Sequence, residues 1–183
     1  KSNLYWMLGL VLLVWLAEIV NLSMGYRLNE WGILPRSSRG LVGIPVSPFL
    51  HGGIGHVISN TPGFVLLGSV VMMRGRMLFL QLSLLIVLFG GGLTWALGRS
   101  AHHVGASALI FGYFGYLLAR VWYERTLSSI VIALVVLVIY GGVLWGLLPT
   151  DTQISWEGHV FGFLAGILGG RLFRSRQKKE PSR

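Results

Sequence analysis

The chain has 183 residues, of which 54% are apolar and 11% charged, with a mean hydropathy of +0.70 and a formal net charge of +9. That balance excludes an ordinary soluble domain, which carries about 25% charged residues, and the absence of cysteine excludes disulfides, thiolate metal sites and a cysteine nucleophile. Lipid is the expected solvent for most of the chain, and the length suits one bundle without a sizeable soluble domain.

Apolar runs between polar punctuation predict spans at 4–24, 55–73, 77–97, 107–123, 127–148 and 158–173. The apolar stretch that follows Lys1 has no small-residue cleavage site and reads as a true span rather than a signal peptide. The expected fold class is an all-α polytopic membrane protein, a bundle of six transmembrane helices filling 1–173, followed by a basic cytoplasmic tail at 174–183. Lys1, Arg74, Arg76, Arg120, Arg125 and the basic cluster from Arg171 onward fall on the side that holds both termini. Arg27, Arg36, Arg39 and Arg99 fall on the other. The positive-inside rule therefore places both termini in the cytoplasm, and the net charge is mostly a record of topology. A basic tail directly after a span anchors to anionic headgroups, so no nucleic-acid partner is expected.

In this topology the second, fourth and sixth helices enter the membrane from the outer face, with their first turns at similar depth. Polar residues gather in those turns: His56, Ser59 and Asn60 on the second, Gly105 to Ser107 on the fourth, Glu157 to His159 on the sixth. Polar side chains inside a membrane are costly and face a bundle interior or a wet cavity, which marks one outward-facing site.

For peptide hydrolysis within a membrane the options are a metal, an aspartate pair or an activated serine. A zinc site of the His-Glu-x-x-His kind is absent, and His51 and His56 are poorly spaced as ligands, so neither a metal nor another cofactor is expected. Two carboxyls sharing a proton are excluded, because Asp151 is the only aspartate and Glu18 has no candidate partner. Ser107 begins a helix, where free N–H groups and the positive dipole end favour a developing negative charge. Gly105 and Ala106 leave room for a substrate backbone, and Gly105 is open to torsions closed to other residues.

A base must come within about 2.6 to 3.2 Å of the Ser107 oxygen, which requires two tightly packed helices. Gly158, Gly162, Gly166 and Gly170 form a stripe of missing side chains on the sixth helix, and Ala108, Gly112, Gly115 and Ala119 form another on the fourth. Pairing of these faces sets His159 opposite Ser107, and Phe111, one turn below, is placed to stack on the imidazole. His56 and Asn60, at i and i+4, share a face as hydrogen-bond donors and with the Ser107 backbone N–H form a candidate oxyanion hole. Pro62 removes a helical hydrogen bond nearby and is expected to kink or loosen that turn.

The set His51, His56 and Asn60, then Gly105-Ala106-Ser107-Ala108, Gly115-Tyr116 and His159-Val160-Phe161-Gly162, resembles the rhomboid proteases over essentially the whole chain. It is similar to the compact six-helix bacterial type. The resemblance implies a Ser107–His159 dyad without an acid, His56 and Asn60 in the oxyanion hole, and a structural His51. It implies cleavage, through an acyl-enzyme, of transmembrane protein substrates near the outer face of a bacterial inner membrane. Two departures stand out: Trp31 and Arg36 are separated where the family often has an adjacent Trp-Arg pair, and Phe111 stands where some members have tyrosine. The apolar loop 25–50 is then expected to lie partly in the outer interface, and 149–156 to act as a movable cap over the site.

Other roles compete for the same residues. Serine at a helix start is most commonly an N-cap, and His56 with Asn60 would serve equally as interhelical hydrogen-bond partners. His102 and His103 are rival bases, His103 lying four residues before Ser107. Glu157 is a candidate to orient His159, although an acid in a first turn ordinarily compensates the helix dipole. A small transporter would also place polar residues in the bundle, but the halves show no internal repeat. A binding-only relative would retain the fold without the chemistry.

Overall fold

The computed structural model describes residues 2–149 and 154–174. Half of the predicted cap, including Asp151, and nearly all of the predicted basic tail lie outside the described residues, as does Lys1. Among the described residues the long helices are α1 (Ser2–Ser23), α2 (Ile54–Met72), α3 (Arg76–Leu97), α4 (Ser107–Glu124), α5 (Leu127–Tyr140) and α6 (Trp156–Leu172). The limits read from the sequence agree with these helices to within a few residues, the fifth only when its 3-10 extension to Leu147 is counted, because each stretch is bounded by glycine, arginine or a loop polar group that lipid would not accept. No strand forms among the described residues; one isolated bridge joins Ile33 to His103.

Among the described residues, four helical stretches are long and apolar enough to cross a membrane: α1, α2, α3 and α5 with its 3-10 extension to Leu147. The chain is thus a multi-pass helical membrane protein. The remaining two, α4 and α6, are shorter or more polar and make the centre of the bundle. Tyr113, Phe114, Tyr116 and Leu117 of α4 are fully buried, whereas Val138 of α5 is 85% exposed.

The α4–α6 pair is the most extensive helix contact in the molecule. A Cβ added at Gly162 would overlap the Ala108 carbonyl oxygen, one at Gly166 would overlap that of Gly112, and one at Gly170 would stand 2.7 Å from Ala119 Cβ. Lipid offers no hydrophobic drive for helix association, so this backbone-to-backbone approach, with its dispersion contacts, is what holds the pair.

Two features depart from the sequence reading. The third span is not a uniform α-helix: Ile86–Gly90 forms a π turn. The wider turn sets Ile86 into the space left by Gly112 and brings Gly90 against the Phe161 carbonyl and Gly162 Cα, so α3 buttresses the α4–α6 pair. The fifth span tightens into a 3-10 helix over Gly141–Leu147, beginning at a glycine pair that weakens the α-helix. α2 contains Pro62 within its helix, with Thr61 Oγ1 donating to the Val57 carbonyl at 2.7 Å.

The 25–50 connection is folded rather than loose. It contains 3-10 turns at Arg27–Trp31, Arg39–Leu41 and Ser47–Phe49 and a one-turn α-helix at Gly43–Val46. Ile33 and Leu50 are buried, while Trp31, Leu41 and Val42 are exposed. Trp31 and Arg36, separated in sequence, take different partners: the Arg39 guanidinium lies 5.4 Å from the Trp31 ring, and Arg36 donates to the Gly98 carbonyl at 2.7 Å and to Ser100 Oγ at 3.1 Å.

At the end of the bundle far from Ser107, Glu124 accepts from Arg120 Nη2 at 2.9 Å and pairs with Arg74 at 2.7 Å. This buried network ties the end of α2 to the end of α4, and truncating one member of such a network would strand charge in the interior.

Candidate active site

Gly105 approaches α4 with φ +120°, a torsion that favours glycine, and its N–H donates to the Ser47 carbonyl at 2.9 Å. A Cβ there would lie 2.8 Å from His56 Cε1 and 2.9 Å from His56 Nε2. The helix then starts at Ser107, and Ala106, not Ser107, occupies the cap position. The Ser107 side chain is therefore free of capping duty and meets His159 Nε2 at 2.9 Å. Both residues are buried, at 8% and 7% exposure. Phe111 stacks on the His159 ring with centroids 4.1 Å apart and planes 11° from parallel, as its place one turn below Ser107 predicts. His159 Nδ1 lies 2.8 Å from the Gly146 carbonyl oxygen.

His56 and Asn60 share the face of α2 that looks at Gly105. Gly52 N–H donates to His56 Nδ1 at 3.3 Å, so a neutral imidazole carries its proton on Nε2, the atom nearest Gly105. Asn60 Nδ2 is buried without a hydrogen-bond partner and lies 3.5 Å from where a Gly105 Cβ would be. Two donors thus converge beside the first turn of α4, where the Ser107 backbone N–H has no intrahelical acceptor. Ser107, His159, His56 and Asn60 all line one cavity of about 710 Å³.

His51 stands behind this group. Its ring makes an edge contact with His56 at 4.9 Å, its Nε2 accepts from Ala106 N–H at 3.3 Å, and its carbonyl accepts from Asn21 Nδ2 at 3.2 Å and Asn29 Nδ2 at 3.0 Å. One residue thereby joins α1, the first loop, α2 and the approach to α4. Burial, reinforced by His56, lowers the His51 imidazole from its usual 6.5 to about 4, against an opposing pull from the Phe49 carbonyl. The folded value lies below the unfolded one, so the unfolded state binds more protons between them and stability falls as pH drops from 6.5 towards 4. In detergent, His51→Gln should lose less thermal stability than wild type on acidification through that window. Parallel losses in the two proteins would contradict this assignment.

Two of the rival residues, His103 and Glu157, are otherwise engaged. His103 Nδ1 lies 2.6 Å from Ser155 Oγ and Nε2 lies 3.1 Å from the Arg99 carbonyl. Burial lowers its imidazole, outweighing the Arg99 carbonyl and Glu157, so the neutral ring donates from Nε2 to Arg99 and accepts from Ser155. It is a strut between the 98–106 loop and the start of α6. His102 lines the cavity. Glu157 Oε1 accepts from the Arg99 N–H at 3.2 Å and pairs with Arg99 Nε at 3.7 Å. The Gly146 carbonyl, Asn21, Asn29 and Ser155 were not legible as site residues. A backbone carbonyl has no sequence signature, and the other three act through contacts made far from them in sequence.

These features define a helical membrane protein with a buried Ser–His pair and unpaired donors beside it, all lining one cavity. The chain belongs to the rhomboid family: residues 39–176 match the Rhomboid domain. It is 35% identical over 181 residues to an uncharacterized protein of Mycobacterium bovis, a match covering 94% of this chain and 75% of that one. An uncharacterized protein of Mycobacterium leprae is 30% identical over 194 residues, with 98% and 77% covered. RHOMBOID-like protein 4 of Arabidopsis thaliana is 31% identical over 128 residues, 67% of this chain and 31% of that protein.

Proposed function

We propose that this chain is an intramembrane serine endopeptidase of a bacterial inner membrane, with six spans, both termini cytoplasmic and its site open to the outer face. The reading is carried by the 2.9 Å contact between Ser107 Oγ and His159 Nε2 at the wall of a cavity that His56, Asn60 and Ser59 also line. Family membership supports the reaction class, and the exposed Trp31, Leu41 and Val42 suit a first loop seated in the outer interface. The substrates are single-span membrane proteins, presented from the surrounding lipid.

In this mechanism Ser107 Oγ attacks the scissile carbonyl carbon while its proton passes to His159 Nε2. The carbonyl oxygen becomes an oxyanion, received by His56 Nε2–H, Asn60 Nδ2–H and the Ser107 backbone N–H. The imidazolium returns its proton to the amine as the C–N bond breaks, leaving an acyl-enzyme ester. Water from the cavity, deprotonated by the same nitrogen, then hydrolyses the ester and restores Ser107.

Cleavage of a tagged single-span substrate by purified protein tests the reading. Because donors to the oxyanion act mainly in the transition state, His56→Ala and Asn60→Ala should each lower kcat by about 100- to 1,000-fold with little change in KM. Unchanged kcat with lowered thermal stability would reassign the two side chains to helix bonding alone.

A further inference from the structure

Many serine hydrolases orient their base with a carboxylate. Here Glu157 is turned to Arg99, and the atom facing His159 Nδ1 is the carbonyl oxygen of Gly146 at 2.8 Å. We propose that the Gly146 carbonyl is the positioning group for His159, and that the Ser107–His159 pair is set for proton transfer only while the Gly141–Leu147 turn is docked on α6. This rests on the protease reading above.

A carbonyl oxygen has no proton to give, so Nδ1 must be the donor. A neutral imidazole has one ring proton, and with that proton on Nδ1 the Nε2 lone pair is left facing Ser107 Oγ at 2.9 Å. During attack the Ser107 proton moves to Nε2, and the Nδ1 proton stays where it is. The carbonyl dipole stabilises the resulting imidazolium without taking up a proton. Phe111 fixes the plane of the ring from one face, and two hydrogen bonds fix its rotation within that plane.

Position 146 is built for close approach. A Cβ there would stand 2.9 Å from Phe111 Cζ and 3.3 Å from His159 Nδ1, so bare backbone is what fits against both rings. The turn packs on α6, while α5, from which it continues, packs chiefly on α4 and shows most of its surface to the outside. Gly141 and Gly142 begin the turn, and a Cβ at Gly142 would meet nothing. If the turn moves off α6, Nδ1 loses its acceptor. The ring is then free to carry its proton on Nε2, the tautomer that cannot accept from Ser107.

The test replaces Leu147 by its α-hydroxy acid in the full chain, which converts the 146–147 amide to an ester and weakens the Gly146 carbonyl as an acceptor while keeping every side chain. The same replacement at Leu148, whose N–H donates to the Trp145 carbonyl at 3.1 Å, removes an N–H of this turn and leaves the 146–147 amide intact. With 15N-labelled histidine, and His159→Gln to assign the signals, the unsubstituted protein should show a protonated Nδ1 and an unprotonated Nε2. The ester at 147 should mix the tautomers and lower kcat about tenfold at unchanged KM, part of the roughly 100- to 10,000-fold that a positioned base contributes, and the ester at 148 should do neither. A protonated Nε2 in the unsubstituted protein, or equal effects of the two esters, would overturn the proposal, and the first of these is decided even if the variants fail to fold. The ring signals need no substrate. A locked Nδ1 proton in a chain that cleaves nothing would therefore refute the protease reading and leave the positioning role standing.

Discussion

Ser107→Ala and His159→Ala are each expected to reduce cleavage of a single-span substrate by at least about 10⁴-fold, and the double variant to be no worse than either single one. The first change removes the attacking oxygen. The second leaves that oxygen protonated, and an unassisted hydroxyl at neutral pH is a weak nucleophile. Because the two groups act as one unit, their losses do not add. The folded state should be nearly untouched by Ser107→Ala, since that side chain caps no helix and its hydrogen bond is to His159. Thermal unfolding in detergent separates the cases: lost activity at unchanged stability is the expected result. Losses that add in the double variant would mean that Ser107 and His159 act in separate steps.

The second large effect is expected away from the reacting atoms. A Cβ at Gly166 would overlap the Gly112 carbonyl oxygen, and backbone cannot be displaced as a flexible side-chain end can. Gly166→Ala should therefore cost about 1 to 3 kcal/mol of stability through overpacking, and Gly166→Leu more. The pair of helices must part, and Ser107 and His159 stand on opposite sides of the parting. A displacement of about 1 Å in such a site costs on the order of 100-fold in rate. Activity and unfolding temperature should thus fall together in Gly166→Ala. Leu164→Ala, on an exposed face of the same helix, should leave both near wild type. A Gly166→Ala protein with full activity would show that α4 and α6 have slack that the close approach denies.

The extent to which the sequence discloses this arrangement follows from how each part is encoded. Span limits are written in side-chain polarity, and so is the pairing of α4 with α6, because Gly162 and Gly166 on one helix and Ala108 and Gly112 on the other leave a readable gap in volume. The juxtaposition of Ser107, His159 and Phe111 follows from that pairing together with helical periodicity. The π turn at Ile86–Gly90 is not readable in the same way, since an extra residue in a turn alters hydrogen bonding without altering composition. Nor is the contact of His159 Nδ1 with Gly146, where the acceptor is main chain. His51 shows a third kind of gap. The family resemblance marked it, but the bonds from Asn21 and Asn29 to its carbonyl arise from the fold of the 25–50 segment, which hydropathy reads only as a long apolar connection. Family membership is the most robust inference, because it rests on several motifs in order and not on any one of them.

The most direct test of the central claim is covalent labelling. Purified protein in detergent would be treated with a serine-reactive fluorophosphonate and the adduct mapped by mass spectrometry, in wild type and in His159→Ala. One adduct is expected, on Ser107, formed by wild type and strongly suppressed in His159→Ala while the fold persists. An adduct on another residue, or undiminished labelling of Ser107 without His159, would contradict the assignment of nucleophile and base.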